Sequence, residues 1–370
     1  ARGRLRRTLR QLILYDILNN FRFAGVIVAL ALAAYALLKY RYRGQWRRSD
    51  LLLGLSVALG IGLVSVFPAV IGEPFTRLFG LEDRGFAILT VSNLALFGCV
   101  LYLLNQVRLA NRRGGLIVSA LAARQYIENA FPPEERLALS HAKNEGVMII
   151  IPAYNEAGSI REVLGRVPRE LHGRSVQTLV VVDGSSDETE AVTVTEGFPV
   201  ATHVVNLGQG DALRTGFEIA RQQKSEVVVN LDADGQYLPE DVERLVAPVL
   251  DDEADFVLGS RFRGYYEEAG SVRHVGVVFF SRLVSILTGQ KITDCTNGLR
   301  AIRVSRLGEL DLREESFNAT ELILEALRKG LRYQEIPVTM LKRFEGESKK
   351  PPKLAYPFGV FRVIIRTWLR

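Results

Sequence analysis

The sequence contains few of the residues and motifs on which several protein classes depend. Only two cysteines, Cys99 and Cys295, occur among its 370 residues, which excludes a disulfide scaffold and a zinc site built mainly from thiolates. No Gly-x-x-x-x-Gly-Lys-Ser/Thr loop is present. Leu213 stands where a third glycine would complete the dinucleotide-binding fingerprint begun by Gly208 and Gly210. The chain therefore lacks the usual motifs of P-loop enzymes and of dinucleotide-binding dehydrogenases.

The centre of the chain also lacks an excess of positive charge, although the whole chain carries +6 at pH 7. Residues 1–48 carry a net charge of +10 and residues 342–370 a net charge of +6, so residues 49–341 carry −10. This distribution provides no basic central surface for nucleic acid. The basic ends instead favour an anionic membrane lipid as partner.

Three long stretches have no charged residue: 23–38, 51–72 and 85–107. A helix needs about 20 apolar residues to cross the hydrocarbon core of a bilayer. We therefore predict an α-helical transmembrane domain over residues 1–115, with spans at about 23–40, 51–72 and 85–107. The first stretch is the shortest and could lie at the membrane interface instead of crossing it. The sequence therefore does not decide between two and three spans, or on which side of the membrane the N-terminus lies.

The loops around these stretches predict the orientation of the chain. Lys and Arg are more frequent on the side of Lys39 and Arg108 than in the turn between the second and third stretches. We therefore predict an integral plasma-membrane protein whose later residues are cytoplasmic. Residues 116–145 are predicted to form an amphipathic helix and a linker. Residues 351–370 are predicted to form an interfacial helix, with an ordinary packed helix as an equal alternative.

Short β-branched runs alternate with helical patterns between residues 146 and 350, which predicts an α/β domain with a mainly parallel sheet. The predicted strands are Val147–Ile151, Thr178–Val182, His203–Val205, Val227–Leu231 and Phe256–Leu258. The predicted helices are Ser159–Val167, Asp211–Gln222 and Pro239–Leu250. Ligands of such sheets bind beyond the carboxyl ends of the strands. The residues that follow each strand are therefore the candidates for a site.

Polar residues follow four of the predicted strands. One such group would usually be a turn or a helix cap, but four at one sheet edge favour a binding site. Asp232 and Asp234 follow the fourth strand, and two carboxylates this close repel each other unless a cation shares them. Oxygen ligands select Mg²⁺ or Mn²⁺, and substrate phosphates commonly complete the shell of such ions. The glycine-rich turn at Gly208 precedes a helix and could bind a diphosphate through backbone N–H groups.

Six motifs in the second half of the chain occur together and in order. They are Pro152-Ala153-Tyr154-Asn155-Glu156, Asp183-Gly184-Ser185, Asp232-Ala233-Asp234-Gly235-Gln236, Gly259-Ser260-Arg261, Asp294 with Asn297-Gly298-Leu299-Arg300, and Arg343-Phe344-Glu345-Gly346-Glu347-Ser348-Lys349. This set resembles family-two glycosyltransferases of the GT-A fold, in the branch of dolichyl- and polyprenyl-phosphate sugar synthases. The N-terminal part resembles small three-span membrane proteins found beside or fused to such enzymes. The combination of these features with Gly346-Glu347-Ser348-Lys349-Lys350-Pro351 and Thr367-Trp368-Leu369-Arg370 is similar to actinobacterial polyprenyl-phosphate N-acetylgalactosaminyl synthases.

The resemblance implies a GT-A nucleotide-sugar-binding domain over residues 146–350 and a role for each matched residue. Donor binding would involve Pro152, Tyr154, Asn155, Glu156, Asp183, Gly208, Gln209, Asp232 and Asp234. A divalent ion, Mg²⁺ or Mn²⁺, would be held by Asp232, Asp234 and Gln236. The acceptor phosphate would be held by Arg261, Arg273, Arg343, Ser348 and Lys349. Catalysis would depend most on Asp232, Asp234 and Arg343.

The sequence departs from the family pattern at three positions. Val182 stands before Asp183 where many relatives have a second aspartate, which puts one nucleotide contact in doubt. Gln209 stands where relatives often have lysine, and Val277 where some have serine.

The activity that the resemblance implies is the inverting transfer of one sugar from a UDP-sugar to polyprenyl phosphate at the cytoplasmic membrane face, for cell-envelope glycans. The expected sugar is an N-acetylhexosamine, in particular N-acetylgalactosamine, with a mannose or glucose synthase as the alternative. A lipid phosphate is ionised at pH 7, so its oxygen can attack without a general base. An inactive, transferase-like membrane scaffold is the alternative from another class. A processive polysaccharide synthase is disfavoured because no Gln-x-x-Arg-Trp motif is present. The sequence does not decide whether the chain forms a homo-oligomer.

Overall fold

The structure, a computed structural model, describes residues 23–37, 48–67, 84–131, 146–267, 272–314, 318–342 and 355–369. The chain divides into two compact units, Ala1–Arg108 and Leu109–Arg370. The helices of the N-terminal part are α1 (residues 23–37), α2 (Arg48–Val66) and α3 (Arg84–Ala130), the last of which continues into the second unit.

The predicted transmembrane domain is wrong. Within the described ranges, no helix combines the length and the apolar content that a bilayer crossing requires. Helix α2 has 19 residues, and a bilayer crossing needs about 20 predominantly apolar ones. The third uncharged stretch begins α3, a helix of 47 residues that continues through Arg112 and Arg113. The third uncharged stretch therefore did not form a separate apolar helix.

The second unit is an α/β fold built around one sheet. Its strands are β1 (Val147–Ala153), β2 (Glu170–Leu171), β3 (Arg174–Asp183), β4 (Val200–His203), β5 (Val227–Asn230), β6 (Phe256–Tyr266), β7 (Arg300–Arg303) and β8 (Tyr333–Met340). Its further helices are α4 (Ile160–Arg166), α5 (Thr189–Thr195), α6 (Gln209–Gln222), α7 (Val242–Leu250), α8 (Val272–Thr288), α9 (Asn318–Arg328) and α10 (Ala355–Trp368). Short 3₁₀ helices cover Pro239–Asp241 and Val304–Glu309.

The sheet is mixed, so the prediction of a mainly parallel sheet is wrong. Its strand order is β2-β3-β1-β5-β7-β6-β8, and β4 pairs with the end of β3. Strand β1 runs parallel to β3 and β5, and β6 runs parallel to β8. Strand β7 lies between β5 and β6 and runs antiparallel to both.

The direction of β7 follows from the path of the chain before it. A parallel strand needs a crossover that returns the chain to the opposite edge of the sheet. After β6 and α8 the chain does not return: Arg300, the first residue of β7, pairs with Asn230, the last residue of β5. Strand β7 therefore begins at the carboxyl edge of the parallel strands, and the loop before it lies at that edge.

Strand β1 is covered on both faces, which explains its continuous apolar sequence. Met148 and Ile150 pack into one core with α6, and Ile149 and Ile151 pack into the other core with α4 and α7. All four side chains are fully buried, and each contributes about 1.5–3 kcal/mol by leaving water. Helix α6 lies close to this strand, because a β-carbon on Gly216 would be 2.6 Å from a methyl of Ile150.

One strand lies at a different position from the predicted one, and the C-terminal helix is packed. The strand predicted over His203–Val205 lies at Val200–His203, and Val204 and Val205 are exposed. The C-terminal segment is helical over Ala355–Trp368, with Val360 and Ile364 fully buried in the core that contains α9 residues.

Candidate active site

A cleft of about 390 Å³ opens at the carboxyl edge of the sheet. The predicted site residues that line it are Pro152, Tyr154, Glu156, Asp183, Gly208, Gln209, Asp232, Asp234, Gln236 and Arg261. Residues that the sequence analysis did not assign to the site also line it, among them Asn230, Tyr237, Arg300, Asn318 and Thr320. Arg343, Ser348 and Lys349 lie outside the described residues, and of Arg273 only the helical backbone is described.

Asn155, predicted to bind the donor, is not among the residues that line the cleft but connects two loops next to it. Its backbone N–H donates to Ser185 Oγ over 3.0 Å, and its Oδ1 accepts a hydrogen bond from the Ser186 N–H at 2.8 Å. It does so with φ at +52°, a conformation that asparagine tolerates better than most residues. Asn155 thus fixes the loop after β1 against the loop after β3, and the adjacent Tyr154 lines the cleft.

Asp183, the last residue of β3, is buried, and both of its carboxylate oxygens accept hydrogen bonds from the fold. His203 Nδ1 lies 2.7 Å from Oδ1, which also accepts from the Leu207 N–H at 2.9 Å. Oδ2 accepts from the Gly208 N–H at 2.7 Å. The charge of Asp183 therefore holds the loop that leads into α6, because a carboxylate makes strong hydrogen bonds to backbone N–H groups.

His203 extends this arrangement to α6. Its Nε2 lies 2.8 Å from Thr215 Oγ1, on the second turn of that helix. His203 and Thr215 are both fully buried, so the chain Asp183–His203–Thr215 is shielded from water. It joins the end of β3, the end of β4 and α6. The start of α6, with its N–H groups directed out of the helix, is thereby held at the cleft.

Asp232 and Asp234 lie in the turn that follows β5. Gln209 Nε2 donates to Asp232 Oδ1 over 2.9 Å, and Asp234 Oδ1 accepts from the Gln236 N–H at 3.1 Å. Between them, the Ala233 carbonyl accepts a hydrogen bond from Ser159 Oγ at 2.9 Å. The two carboxylates are therefore held on one side of the cleft by contacts from α6 and from the start of α4.

The chemistry of these side chains fits a hard divalent cation. Asp232 and Asp234 supply carboxylate oxygens, and Gln236 supplies an amide oxygen while its Nε2 donates to the Leu341 carbonyl. Within the described part of the chain, no three His, Cys, Asp or Glu side chains cluster as a complete cage. Mg²⁺ and Mn²⁺ do not require one, since two carboxylates with substrate phosphates and water suffice.

Arg261 and Asp294 form a buried ion pair at the side of the cleft. Nε and Nη2 of Arg261 lie 2.6 Å and 2.9 Å from the two oxygens of Asp294, a bidentate geometry. Both side chains are at most 2% exposed, and the charge of Asp294 raises the pKa of Arg261 although burial opposes this. The structure therefore engages most of the Arg261 guanidinium inside the fold.

Arg300 lines the cleft but was not predicted from the sequence to be a site residue. It is 1% exposed, and burial lowers the pKa of its guanidinium to about 10, so it remains charged at pH 7. It belongs to the matched motif that ends in Leu299-Arg300, but the resemblance gave it no role. Its place beside Asp232 and Asn230 depends on the antiparallel β7, which the sequence pattern did not reveal.

Comparison with known proteins agrees with the motifs. The model of "Glycosyl transferase family 2" matches residues 148–310. Polyprenol monophosphomannose synthase of Mycolicibacterium smegmatis is 33% identical over 221 residues, which cover 55% of this chain and 80% of that protein. UDP-N-acetylglucosamine–dolichyl-phosphate N-acetylglucosaminyltransferase of Methanococcus voltae is 27% identical over 215 residues, covering 52% of this chain and 84% of the relative.

Among solved structures, glucosyl-3-phosphoglycerate synthase of Mycobacterium tuberculosis, in complex with Mn²⁺, UDP and glucosyl-3-phosphoglycerate, superposes with a TM-score of 0.48 and 20% identity. The match covers 65% of this chain and 83% of that chain. The sequence relatives carry the assignment: with 33% identity over four fifths of a family member, the chain belongs to glycosyl transferase family 2.

Proposed function

We propose that this chain transfers one sugar from a nucleotide-sugar to polyprenyl phosphate at the cytoplasmic face of a membrane. The observation that carries the proposal is the position of Asp232 and Asp234 at the exit of β5, in a cleft that also contains the start of α6. The names of the relatives from Mycolicibacterium smegmatis and Methanococcus voltae support a polyprenyl or dolichyl phosphate as acceptor.

The proposed reaction exchanges one bond for another at the anomeric carbon of the sugar. An ionised oxygen of the lipid phosphate forms the new bond to that carbon. The bond from the carbon to the donor diphosphate breaks, and its electron pair leaves with the nucleoside diphosphate. No proton has to move, since the attacking oxygen is already ionised. Attack opposite the leaving group inverts the configuration.

The residues of the cleft then have to hold two anionic substrates close together. The start of α6 faces the cleft and favours negative charge through its N–H groups. Asp232, Asp234 and Gln236 would hold a Mg²⁺ or Mn²⁺ ion, which when bound supplies charge neutralisation for the departing diphosphate. On the acceptor side we assign Arg273, Arg343, Ser348 and Lys349 by family resemblance, as cations and hydrogen-bond donors to the lipid phosphate.

For the donor we propose a UDP-N-acetylhexosamine, with N-acetylgalactosamine as the first candidate. The resemblance of the segments Gly346–Pro351 and Thr367–Arg370 to N-acetylgalactosaminyl synthases supports this choice, and the name of the Methanococcus voltae relative includes a UDP-N-acetylhexosamine. A polyprenyl-phosphate mannose synthase is the second candidate, because the Mycolicibacterium smegmatis relative is named as one.

Mass spectrometry of the lipid product tests the proposal. The full chain is incubated with polyprenyl phosphate, Mg²⁺ and, in separate reactions, UDP-N-acetylgalactosamine, UDP-N-acetylglucosamine, UDP-glucose or GDP-mannose. We expect one donor to yield a lipid that has gained a single sugar, and the Asp232→Asn, Asp234→Asn double variant to yield none. A folded chain that forms no glycolipid with any donor would support the inactive scaffold instead.

A further inference from the structure

Arg300 places a positive charge inside the protein at the wall of the cleft. Its side chain is among the largest that the fold buries completely, and it lines the cleft together with Asp232 and Gln209. Burying a guanidinium costs several kcal/mol unless its charge is compensated. The nature of its partners therefore decides what the residue does.

The hydrogen bonds of Arg300 use only one side of the guanidinium. Nε donates to the Asn297 carbonyl over 2.9 Å, and Nη2 donates to the same oxygen. Across the described ranges, Arg300 forms no ion pair, and Nη1 takes part in neither of its hydrogen bonds. Arg261 in the same cleft provides the contrast, since Asp294 neutralises its charge. Arg300 is thus held in place by a neutral carbonyl and keeps its charge uncompensated by a direct partner.

Asn230 lies directly opposite Arg300 in the antiparallel pair of β5 and β7. It is 3% exposed and lines the cleft, and its Oδ1 has no hydrogen-bond partner among the described residues. Cβ atoms of directly opposed residues are about 5 Å apart. An aspartate at this position would neutralise Arg300 within the fold. The protein instead has a neutral amide there.

The carboxylates whose charge reaches Arg300 are Asp232 and Asp294, and both have other roles. Asp294 pairs with Arg261, and Asp232 is a candidate ligand of the divalent cation. When a cation neutralises Asp232, the guanidinium of Arg300 loses its remaining negative neighbour. An anion that enters the cleft would then be attracted to it at low local dielectric.

We infer that Arg300 is a binding residue for a phosphate oxyanion in the cleft, oriented by Asn297 and left unneutralised by Asn230. This inference rests on the proposed function, which supplies two sources for that oxyanion: the diphosphate of the donor and the phosphate of the lipid acceptor. Arginine suits either source, because its planar fork can donate to Asn297 on one side and to phosphate on the other.

Direct binding measurements on the full chain test the inference independently of turnover. Isothermal titration calorimetry in Mg²⁺ buffer uses UDP, GDP and inorganic pyrophosphate as probes, and the KM for polyprenyl phosphate is measured separately. We expect Arg300→Gln to raise at least tenfold either the Kd of the diphosphate probes or the KM for polyprenyl phosphate. The first result identifies the donor as the source of the oxyanion, and the second identifies the acceptor.

A second variant separates binding from folding. Asn230→Asp supplies the counter-charge that Arg300 lacks, so we expect an unchanged or higher melting temperature together with the same loss of phosphate affinity. Arg300→Lys keeps the charge but cannot reach both Asn297 and a phosphate, and it should raise the affected constant at least fivefold even if Arg300→Gln does not fold. Arg303→Gln, on the same strand but paired with Asp252 and Asp255, is the control and should leave both constants unchanged.

The outcomes distinguish this inference from the proposed function. If the wild-type chain forms glycolipid and the variants at Arg300 and Asn230 leave both constants unchanged, Arg300 is a structural residue and the inference is wrong. If no glycolipid forms but diphosphate binding depends on Arg300, the proposed function is wrong and the oxyanion site stands. If the wild-type chain binds none of the three probes and the KM for polyprenyl phosphate does not change, the inference is also wrong.

Discussion

Gly298 packs against the carboxylate of Asp232, so closely that a β-carbon on Gly298 would lie 2.4 Å from Asp232 Oδ2. No side chain fits at this position unless the carboxylate moves. The loop before β7 therefore helps to orient Asp232, in addition to the hydrogen bond from Gln209.

The Gly298→Ala substitution tests this contact. We expect it to displace the Asp232 carboxylate and to lower the transfer rate at least tenfold. The melting temperature should change little, because the atoms that must move belong to the end of a side chain that lines the cleft. The control is Gly276→Ala in α8, where a β-carbon meets nothing within 4 Å and alanine favours the helix. Equal activity of the two variants would contradict a positioning role for Gly298.

His203 is expected to support donor binding through Asp183. His203→Ala removes one hydrogen bond from the carboxylate that holds the N–H groups of Leu207 and Gly208, so the loop before α6 should loosen. We expect the KM for the nucleotide-sugar to rise about tenfold, equivalent to about 1.4 kcal/mol, while the KM for polyprenyl phosphate stays the same. The control is Thr202→Val on the same strand, whose hydroxyl donates to Glu190; it should change neither KM. Equal increases in both KM values for His203→Ala would indicate a general loss of structure.

The buried ion pair of Arg261 and Asp294 is expected to contribute mainly to the stability of the fold. Asp294→Asn leaves a buried guanidinium with a neutral partner, and such a change typically costs about 3–5 kcal/mol. Urea unfolding of the purified variant measures this loss. Arg306→Gln removes a more exposed pair with Glu309 and should cost less than about 1 kcal/mol. Similar unfolding free energies for the two variants would contradict a stabilising role of the buried pair.

Asp255 gives a prediction for the pH dependence of stability. A hydrogen bond from Arg332 lowers the pKa of Asp255 to about 2, from 3.8. The pKa of Asp255 is lower in the folded state than in the unfolded state, so its ionised carboxylate stabilises the fold. This stabilisation is complete above about pH 4–5 and is lost as the pH falls towards 2. Asp255→Asn should therefore lower the free energy of unfolding at pH 7, and the difference from the wild type should shrink between pH 4 and pH 2. A difference that stays constant down to pH 2 would contradict a stabilising role of the ionised Asp255. The control is Glu196→Gln, in an exposed pair with Arg161.

Much of the site could be predicted from the sequence because it follows strands that end in apolar runs. The last four residues of the strands that end in Ala153, Asp183 and Asn230 are almost all buried, so the ends of these strands are visible as apolar, largely β-branched runs. Polar residues directly after such runs must lie at the carboxyl edge. The cleft accordingly contains Tyr154, Asp183 and Asp232.

The other side of the cleft could not be predicted in this way. Strand β7 has only four residues, two of them arginines. Strand β8 contains Pro337 and is partly exposed at five of its eight positions. Neither has the composition of a central strand. Without β7, nothing in the sequence pattern places Arg300 opposite Asn230, and the antiparallel pairing remains hidden. The uncharged stretches near the N-terminus were wrongly predicted as membrane spans for a related reason, since composition alone does not give the limits of a helix.

We propose that the chain uses a divalent cation at Asp232 and Asp234 to transfer a sugar to polyprenyl phosphate. The most direct measurement is the release of nucleoside diphosphate by the purified full chain, followed with and without polyprenyl phosphate and before and after treatment with EDTA. We predict release that requires polyprenyl phosphate, stops with EDTA, returns with Mg²⁺ or Mn²⁺, and is absent in Asp234→Asn. Release that persists without polyprenyl phosphate, or that is the same in Asp234→Asn, would contradict the claim.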